Sequence, residues 1–341
     1  MEIKDFIVAE NEKIADVLDE IGENSNGIVF IENAEHKIVG SLSDGDIRRF
    51  LMSNGAIEDS VTKAMNKEFK SANNIVTAKA LTKEYKVVPV LNENGEVTCV
   101  VLKDIIIPRE KLNVPVVIQA GGLGTRLYPY TKILPKPLIP IGDLPIIELI
   151  INRFVEFGCT EFYVIVNHKK EMIKSYFAEI EKSYSIEFVD ETKPLGTGGG
   201  LSMLEGKINE TFIFANCDTF LDCNFSEVCN AHKKANNKVS IICSQMDMQI
   251  PYGVVKTDDN KKITEFVEKP RMQFLSNVGI YIVEPEVISM IPKETKIHFT
   301  TICEELMKNK GVGVFEILEE EWNDMGEIDK LNKMSGKEEF K

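Results

Sequence analysis

A cluster of glycines and cations between residues 121 and 136 is the part of the sequence best suited to chemistry. Gly121, Gly122 and Gly124 follow a short apolar run, and Arg126 and Lys136 come soon after them. Glycines let the backbone approach a ligand and turn several N–H groups towards one anion. Arginine adds a fork that matches two phosphate oxygens, and lysine adds a mobile charge. The pattern is neither a Walker loop nor a G-x-G-x-x-G turn, and it predicts a polyphosphate site.

Residues 121–142, which include a Pro-Lys-Pro around Lys136, resemble the signature of the sugar-phosphate nucleotidyltransferases. The resemblance runs from about residue 114 to about residue 333, and its later segments stand in the family's order. These segments are residues 195–200, 216–218, 252–255, 268–270, 277–281 and 322–326. Cys217 and Met325 depart from the family pattern, but neither change removes a ligand.

The resemblance implies a role for particular residues. Catalysis would depend on Arg126, Lys136 and Asp218. A Mg²⁺ ion would lie between Asp218 and Asp324. The nucleoside triphosphate would contact Gly121, Gly122, Gly124, Thr125, Glu191, Gly196 and Thr197. The sugar 1-phosphate would contact Gly253, Glu268, Lys269 and Asn277.

The implied reaction is attack of a sugar 1-phosphate oxygen on the α-phosphorus of a nucleoside triphosphate, with pyrophosphate leaving in line. The second pKa of the attacking phosphate is about 6, so it is largely a dianion at neutral pH and needs no general base. Catalysis then consists of positioning two polyanions and neutralising their charge. Oxygen ligands from two carboxylates suit a partly hydrated Mg²⁺.

Glu191 indicates which nucleotide is used. It lies five residues before Gly196, where pyrimidine-selective relatives tend to carry glutamine. A carboxylate can accept from the N1–H and N2–H₂ edge of guanine, whereas it is mismatched against the carbonyls of uracil. We therefore expect GTP as the donor. The resemblance to guanylyltransferases with a similar N-terminal extension implies glucosamine 1-phosphate or a related hexose 1-phosphate as the acceptor, for surface or flagellin glycan synthesis, as in legionaminic acid biosynthesis.

The elements that must position these residues alternate between strand and helix after residue 112. Strands are predicted at 114–119, 161–166, 186–189 and 212–215, and helices at 146–157 and 171–180. Such alternation predicts a mostly parallel, three-layer, Rossmann-like α/β domain with ligands at the carboxyl ends of its strands. We assign it residues 112–341, after a polar linker at residues 108–113.

Residues 1–111 contain an internal repeat in which each copy reads as strand, turn, strand and the start of a helix. Amphipathic segments at residues 13–21 and 74–85 precede the copies. The repeat resembles a tandem cystathionine-β-synthase (CBS) module of α+β structure. In that family a hydroxyl and a carboxylate three residues apart hold an adenine nucleotide, which implies a regulatory nucleotide at Ser43 and Asp46. The second copy has Val101 instead of the hydroxyl, so at most one site is expected. Alternatively, Ser43 and Asp46 only cap a helix and the module is a dimerisation wedge.

Other functions remain open at this point. A thymidylyl- or uridylyltransferase is the alternative enzyme, and a catalytically silent nucleotide-sugar sensor is the alternative class. Silent relatives usually lose a metal carboxylate or a loop cation. Here Asp218, Asp324, Arg126 and Lys136 are all present, which favours an enzyme.

Composition limits the partners and the compartment. The 341 residues carry 54 acidic and 40 basic side chains, a net charge of -14, which argues against nucleic acid or an anionic membrane as a partner. No apolar run is long enough to cross a bilayer, and no leader is recognised. Seven cysteines without a C-x-x-C pair indicate reduced, buried thiols in a cytoplasmic protein. We expect a homo-oligomer.

Overall fold

The structure is a computed structural model that describes residues 1–103 and 105–326. Its N-terminal region holds two small three-stranded sheets, β1-β2-β3 and β4-β5-β6, and three helices. The strands are β1 (Ile7–Ala9), β2 (Ile28–Glu32), β3 (Ile38–Ser43), β4 (Val88–Leu91), β5 (Val97–Leu102) and β6 (Ile105–Pro108). The helices are α1 (Ile14–Glu23), α2 (Asp44–Met52) and α3 (Ile75–Leu81). The amphipathic segments predicted before each copy correspond to α1 and α3.

The second copy differs from the prediction at its end. Residues 105–108 form the strand β6, not the start of a helix, and pair antiparallel with β5. Three consecutive isoleucines before Pro108 favour an extended strand, because branched β-carbons and a proline both disfavour helix. Lys103 takes a left-handed φ of 54° where the chain turns back. The two copies therefore share only their helix–strand–strand part.

Between residues 116 and 324 the chain forms a seven-stranded mixed sheet, three short strand pairs and five further helices. The strands are β7 (Val116–Gln119), β8 (Pro140–Ile141), β9 (Leu144–Pro145), β10 (Glu161–Val166), β11 (Ser185–Asp190), β12 (Phe212–Asn216), β13 (Thr219–Leu221), β14 (Val239–Gln249), β15 (Val254–Thr257), β16 (Ile263–Val267), β17 (Arg271–Val283), β18 (Val312–Ile317) and β19 (Trp322–Asp324). The helices are α4 (Ile146–Glu156), α5 (Lys170–Glu179), α6 (Phe225–Ala235), α7 (Glu286–Ser289) and α8 (Phe299–Met307).

The large sheet has the order β11-β10-β7-β12-β17-β14-β18. Its pairs are parallel except where β17 lies antiparallel to both β12 and β14. The mostly parallel α/β sheet predicted from the alternation of elements is confirmed. The six predicted elements between residues 114 and 215 all form, with ends that differ by at most two residues.

Helices cover both faces of this sheet. Alternate residues of β7 separate the two layers, because Val116 and Ile118 pack in one apolar cluster and Val117 packs in the other. The first cluster contains the buried faces of α4, α5 and α6, and the second contains α7 and α8. No helix among the described residues is long and apolar enough to span a bilayer.

The first of these clusters also includes residues of the N-terminal region. Ala78 of α3, Val101 of β5 and Ile106 of β6 are all buried in it. Val101 has no exposed surface, which explains physically why the second copy has an apolar residue where the first has Ser43. The predicted boundary at residue 112 coincides with the connection from β6 to β7, but the apolar core continues across it. The part of the prediction that covers residues 327–341 lies outside the described residues.

Candidate functional site

The glycine loop leaves the carboxyl end of β7, in the centre of the parallel part of the sheet. Gly124 takes a left-handed φ of 65°, and a Cβ there would lie 2.8 Å from the Cβ of Lys136. Gly122 has no atom within 4 Å of the place where its Cβ would stand, so this part of the loop faces open space. Thr125 begins the single 3₁₀ turn Thr125–Leu127, which presents Arg126. The loop is thus shaped to admit a ligand against its backbone.

Two cations converge on one carboxylate beside this loop. Asp218 follows β12, and its Oδ2 contacts the Nζ of Lys136 and lies 3.4 Å from Nη2 of Arg126. The side chain of Lys136 is only 10% exposed, whereas that of Arg126 is 61% exposed. Lys136 is therefore fixed within the site, and Arg126 is free to turn towards a ligand in the cleft.

A short strand pair brings the second carboxylate to the same place. β13 and β19 pair antiparallel with Thr219 opposite Asp324, and the N–H of Met325 donates to the carbonyl of Asp218 at 2.8 Å. A Cβ on Gly326 would lie 2.9 Å from Oδ1 of Asp324, 3.0 Å from Oδ2 of Asp218 and 3.1 Å from Nη2 of Arg126. The three groups therefore surround a space that only glycine leaves open.

This space suits a Mg²⁺ ion. Carboxylate oxygens are hard ligands, and Mg²⁺ in proteins usually keeps one or two carboxylates together with water and substrate phosphates. Among residues 1–103 and 105–326, no cluster of three or more acidic, histidine or cysteine side chains forms a metal cage. An ion held by Asp218 and Asp324 would therefore complete its coordination with phosphate and water oxygens.

Glu191 lies between the two glycine loops on the other side of the cleft. Its Oε2 is 3.1 Å from the place of a Cβ on Gly121, and its Oε1 is 2.7 Å from that of Gly200. Glu191 is 4% exposed, and burial raises the pKa of its carboxyl. Oε1 of Glu191 and Oε1 of Gln119 are both buried without a hydrogen-bond partner. This end of the cleft therefore offers unsatisfied acceptors.

The second glycine loop packs tightly on a neighbouring segment. Gly196 has a φ of 81°, and a Cβ there would stand 2.5 Å from the carbonyl oxygen of Ile297. The hydroxyl of Thr197 accepts from the N–H of Phe299 at 3.1 Å and lies 3.5 Å from Nδ1 of His298. The glycines of this loop thus permit close backbone packing, and the loop contributes Thr197 and His298 to the wall of the cleft.

These elements enclose a cleft with a cavity volume of about 410 Å³. Ten residues predicted from the sequence line it, namely Gly121, Gly122, Gly124, Thr125, Arg126, Lys136, Glu191, Gly196, Thr197 and Asp218. Cys217 also lines it, and burial raises the pKa of its thiol to about 12, so it stays protonated. Asp324 reaches the edge of the cleft at Gly326.

The residues predicted to hold the sugar lie outside this cavity. A Cβ on Gly253 would stand 2.8 Å from Oε2 of Glu268, and the N–H of Lys269 donates to the carbonyl of Tyr252 at 3.3 Å. These residues form an exposed cluster beside the β15–β16 pair. Nearer the cleft, Asn277 donates to the hydroxyl of Tyr281 at 2.8 Å and accepts from the N–H of Gly279 at 2.9 Å.

Gly279 connects Asn277 to the cleft. A Cβ on Gly279 would lie 2.3 Å from Nδ2 of Asn216, which lines the cavity. The structure therefore brings Asn277 close to the cleft, and places Gly253, Glu268 and Lys269 together on the projecting strand pair. It does not bring all four into one cavity.

Three residues of the site carry no signal in the sequence. Lys169, with a φ of 52°, donates to the carbonyls of Thr131, Lys132 and Ile133 at 2.9, 2.8 and 3.0 Å and so holds the segment before Lys136 in place. Gln119 donates to the carbonyl of Gly196 at 3.3 Å and joins the two loops. His298 enters the cleft from 101 residues beyond Thr197.

In the N-terminal region, Ser43 and Asp46 satisfy each other. Oδ2 of Asp46 accepts from the backbone N–H of Ser43 at 2.9 Å and from its hydroxyl at 2.6 Å, and Oγ of Ser43 accepts from the N–H of Asp46 at 3.3 Å. Oδ1 of Asp46 pairs with Arg49. This is a capping box at the start of α2, and it accounts for both residues without a nucleotide.

Comparison with known proteins gives a consistent picture of the region after residue 114. A family model described as nucleotidyl transferase matches residues 115–339. A mannose-1-phosphate guanyltransferase of Aspergillus oryzae is 36% identical over 224 residues, which are 62% of this chain and 60% of that protein. The protein with the same name from Saccharomyces cerevisiae is 36% identical over 221 residues, with the same coverage of 62% and 60%. The chain thus matches only about 60% of the length of these relatives.

Among solved structures, HddC from Yersinia pseudotuberculosis superposes with a TM-score of 0.52 at 25% sequence identity. The superposition covers 66% of this chain and 99% of HddC. A second structure of HddC, complexed with GMP-PN, gives a TM-score of 0.51.

Proposed function

The chain belongs to the nucleotidyl transferase family, and we propose that it transfers a guanylyl group from GTP to a hexose 1-phosphate and releases pyrophosphate. The observation that carries the proposal is the convergence of Arg126, Lys136 and two carboxylates beside an open glycine loop. A cation-rich loop next to paired carboxylates suits a reaction between two phosphorylated substrates.

In the proposed reaction an oxygen of the hexose 1-phosphate forms a bond to the α-phosphorus of GTP, and the bond from that phosphorus to the β-phosphate oxygen breaks. The acceptor is already largely a dianion at neutral pH, so no side chain has to remove a proton. Gly121, Gly122, Gly124 and Thr125 would bind the triphosphate through the loop. Arg126 would swing from Asp218 to stabilise the departing pyrophosphate, because its side chain is mostly exposed.

Lys136 has a different part in this proposal. Its ammonium is nearly buried and touches Asp218, so it neutralises charge at one fixed point. Asp218 and Asp324 are the residues that would hold Mg²⁺. When bound, the ion would neutralise phosphate oxygens of both substrates and align them.

The acceptors at the far end of the cleft support selection of guanine. Burial destabilises the ionised form of Glu191. A base that donates two N–H groups to the carboxylate would stabilise that ionised form. The N1–H and N2–H₂ groups of guanine supply two such donors, whereas uracil and thymine have one N–H and two carbonyls on that edge. The names of the two relatives, and the GMP-PN bound to HddC, support the same choice.

The hexose is proposed to contact Asn277, Gly253, Glu268 and Lys269, with the projecting β15–β16 pair closing over it. The relatives' names point to mannose 1-phosphate. The carboxylate of Glu268 would also suit the amine of glucosamine 1-phosphate, the acceptor that the sequence resemblance implies. Mannose 1-phosphate and glucosamine 1-phosphate are therefore the two acceptors to compare.

The N-terminal region is proposed to be a CBS-like module in a cytoplasmic, homo-oligomeric enzyme. A regulatory nucleotide at Ser43 and Asp46 would have to replace the contacts of the capping box and displace Arg49. Calorimetry of the full chain with adenine and guanine nucleotides tests this. Nucleotide binding that is abolished by Asp46→Ala would support the site. If no binding is detected at millimolar nucleotide, Ser43 and Asp46 only cap the helix.

The proposed activity is tested by pyrophosphate release. Full-length protein is incubated with Mg²⁺, one of ATP, GTP, CTP, UTP and dTTP at a time, and mannose or glucosamine 1-phosphate. We expect release with GTP and one of the two hexose phosphates, and a loss of it in Asp218→Asn. Preference for UTP or dTTP would show that the protein is a uridylyl- or thymidylyltransferase instead. Silence with every pair would favour a nucleotide-sugar sensor.

A further inference from the structure

The strand β13 connects the candidate metal site with the N-terminal region. Asp218 comes directly before this three-residue strand, and Asp222 comes directly after it. At the Asp222 end, the backbone N–H of Asp222 donates to the carbonyl of Glu321 at 2.9 Å, just before β19. At the other end, Met325 donates to Asp218 at 2.8 Å. A shift of Asp222 therefore moves both strands that carry the carboxylates.

Two cations from different parts of the chain hold the carboxylate of Asp222. Nη2 of Arg153, in α4, lies 2.7 Å from its Oδ1, and Nζ of Lys79, in α3, lies 2.8 Å from the same oxygen. The three side chains are largely withdrawn from solvent, with exposed fractions of 6% for Arg153, 21% for Lys79 and 14% for Asp222. Salt screens such a pair much less than it screens a surface pair.

Arg153 also contacts the middle of the same strand. Its guanidinium carbon stands 4.9 Å from the centre of the Phe220 ring, and Nη1 pairs with Glu156 at 2.6 Å. Arg153 thus contacts Phe220, Asp222 and Glu156 at once. A displacement of Arg153 towards Asp222 would therefore weaken its other two contacts. Lys79 supplies the contact that comes from outside this group.

The helix that carries Lys79 is itself fixed. Ile75 and Ala78 of α3 are buried in the core that also contains α4 and α6. Asn74 caps the helix by accepting from the N–H of Thr77 at 2.7 Å. Lys79 therefore reaches Asp222 from a rigid support, across 143 residues of sequence.

We propose that Lys79 is a positioning residue for the metal-binding carboxylates, acting through Asp222 and β13. This inference rests on the proposed function. It assigns the N-terminal region a direct part in the geometry of the site, because a movement of α3 relative to the catalytic region would be transmitted to Asp218 and Asp324. Replacement of a buried ion pair by apolar side chains of similar volume often changes stability little, so an apolar substitution at Lys79 tests geometry more than folding.

The test uses the full chain with Lys79→Met, Lys79→Arg and the control Lys83→Met. Lys83 is exposed and follows the end of α3. The chain contains one tryptophan, Trp322, which lies opposite Leu221 in the β13–β19 pair. Its fluorescence therefore reports on this strand pair without turnover. Each variant is titrated with Mg²⁺ in two mixtures. Trp322 emission is followed with GTP alone, and pyrophosphate release is followed with GTP and a hexose 1-phosphate.

We expect Lys79→Met to raise the Mg²⁺ concentration for half-activation by about 3- to 10-fold, because small displacements of ligands weaken a geometrically demanding ion. Its Trp322 emission should differ from that of the wild type. Lys79→Arg keeps the positive charge, so it should keep the wild-type Mg²⁺ dependence and the wild-type emission. Lys83→Met should match the wild type. The proposal is overturned if Lys79→Met and Lys83→Met give the same Mg²⁺ dependence and the same emission.

The two proposals fail in different ways. If the wild type transfers no guanylyl group to any hexose 1-phosphate, the proposed function fails, and the comparison of Trp322 emission among the three variants still decides the role of Lys79. If the wild type is active but Lys79→Met lowers only the melting temperature, Lys79 is merely structural and the inference is wrong.

Discussion

Replacement of Gly326 by alanine is a sensitive probe of the candidate metal site, because it removes no charge. The added methyl carbon would stand 2.9 Å from Oδ1 of Asp324, 3.0 Å from Oδ2 of Asp218 and 3.1 Å from Nη2 of Arg126. Gly326 is not among the residues with a positive φ, so alanine is acceptable to the backbone. The perturbation is therefore the volume of one methyl group at the point where the three side chains meet.

The expected size of the effect follows from these distances. Non-bonded carbon contacts are optimal at about 3.5 Å or more, so each group must retreat by roughly 0.5 Å. Mg²⁺ demands oxygen ligands at about 2.0–2.1 Å in near-ideal geometry. Since a misplacement of about 1 Å can cost on the order of 10²-fold in rate, we expect kcat/KM to fall by roughly 10- to 100-fold. The Mg²⁺ requirement should rise as well.

The assay is pyrophosphate release at several Mg²⁺ concentrations, with Gly22→Ala as the matched control. Gly22 lies in α1, and no atom stands within 4 Å of the place of its Cβ. That control should keep the wild-type rate and Mg²⁺ dependence. If Gly326→Ala behaves like Gly22→Ala in both respects, Asp218 and Asp324 do not share an ion, and the metal site has been placed wrongly.

Four further outcomes are expected. Asp218→Asn should keep the fold and lower kcat by on the order of 10²-fold or more, and near-normal turnover at saturating Mg²⁺ would remove Asp218 from the site. Arg126→Lys should lower kcat/KM for GTP, because a point charge cannot grip two phosphate oxygens, and an unchanged value would exclude phosphate binding by Arg126. Glu191→Gln should shift kcat/KM in favour of UTP or dTTP over GTP, and an unchanged preference would show that Glu191 does not select the base. Burial, reinforced by Asp222 and opposed by Arg153 and Lys79, raises the pKa of Glu156 from 4.5 to about 7. The folded state therefore binds this proton more tightly, and the free energy of unfolding should fall by up to about 3 kcal/mol from pH 4.5 to 7 through this group. Denaturant unfolding at both pH values should show a smaller fall in Glu156→Gln, and an equal fall would refute that pKa.

The fold of the region after residue 114 could be predicted well because its signals are local. The alternation of apolar strands and amphipathic helices fixed the order of elements from residue 114 to residue 215, and the glycine loop lies directly after its strand. Ten of the residues predicted to take part in catalysis or nucleotide binding line one cleft. Parallel strands deliver their carboxyl ends to one edge of the sheet, so residues distant in sequence meet there.

What was missed depends on contacts that no short pattern encodes. Lys169 and His298 enter the site through the packing of separate segments, and neither stands in a motif. The second copy of the N-terminal repeat was expected to end in a helix, but the isoleucines of β6 form a strand that helps to join the two regions. The exposed position of Gly253, Glu268 and Lys269 likewise follows from the course of β15 and β16, which the sequence order alone does not reveal.

The most direct test of guanylyl transfer is a single competition experiment. Full-length protein is mixed with Mg²⁺, mannose 1-phosphate and glucosamine 1-phosphate, and equal concentrations of ATP, GTP, CTP, UTP and dTTP, and the nucleotide sugars formed are identified by mass spectrometry. We predict a guanosine diphosphate hexose as the main product, and on the order of 10²-fold less of it from Asp218→Asn in the same time. A uridine or thymidine diphosphate hexose as the main product, or no nucleotide sugar at all, would contradict it.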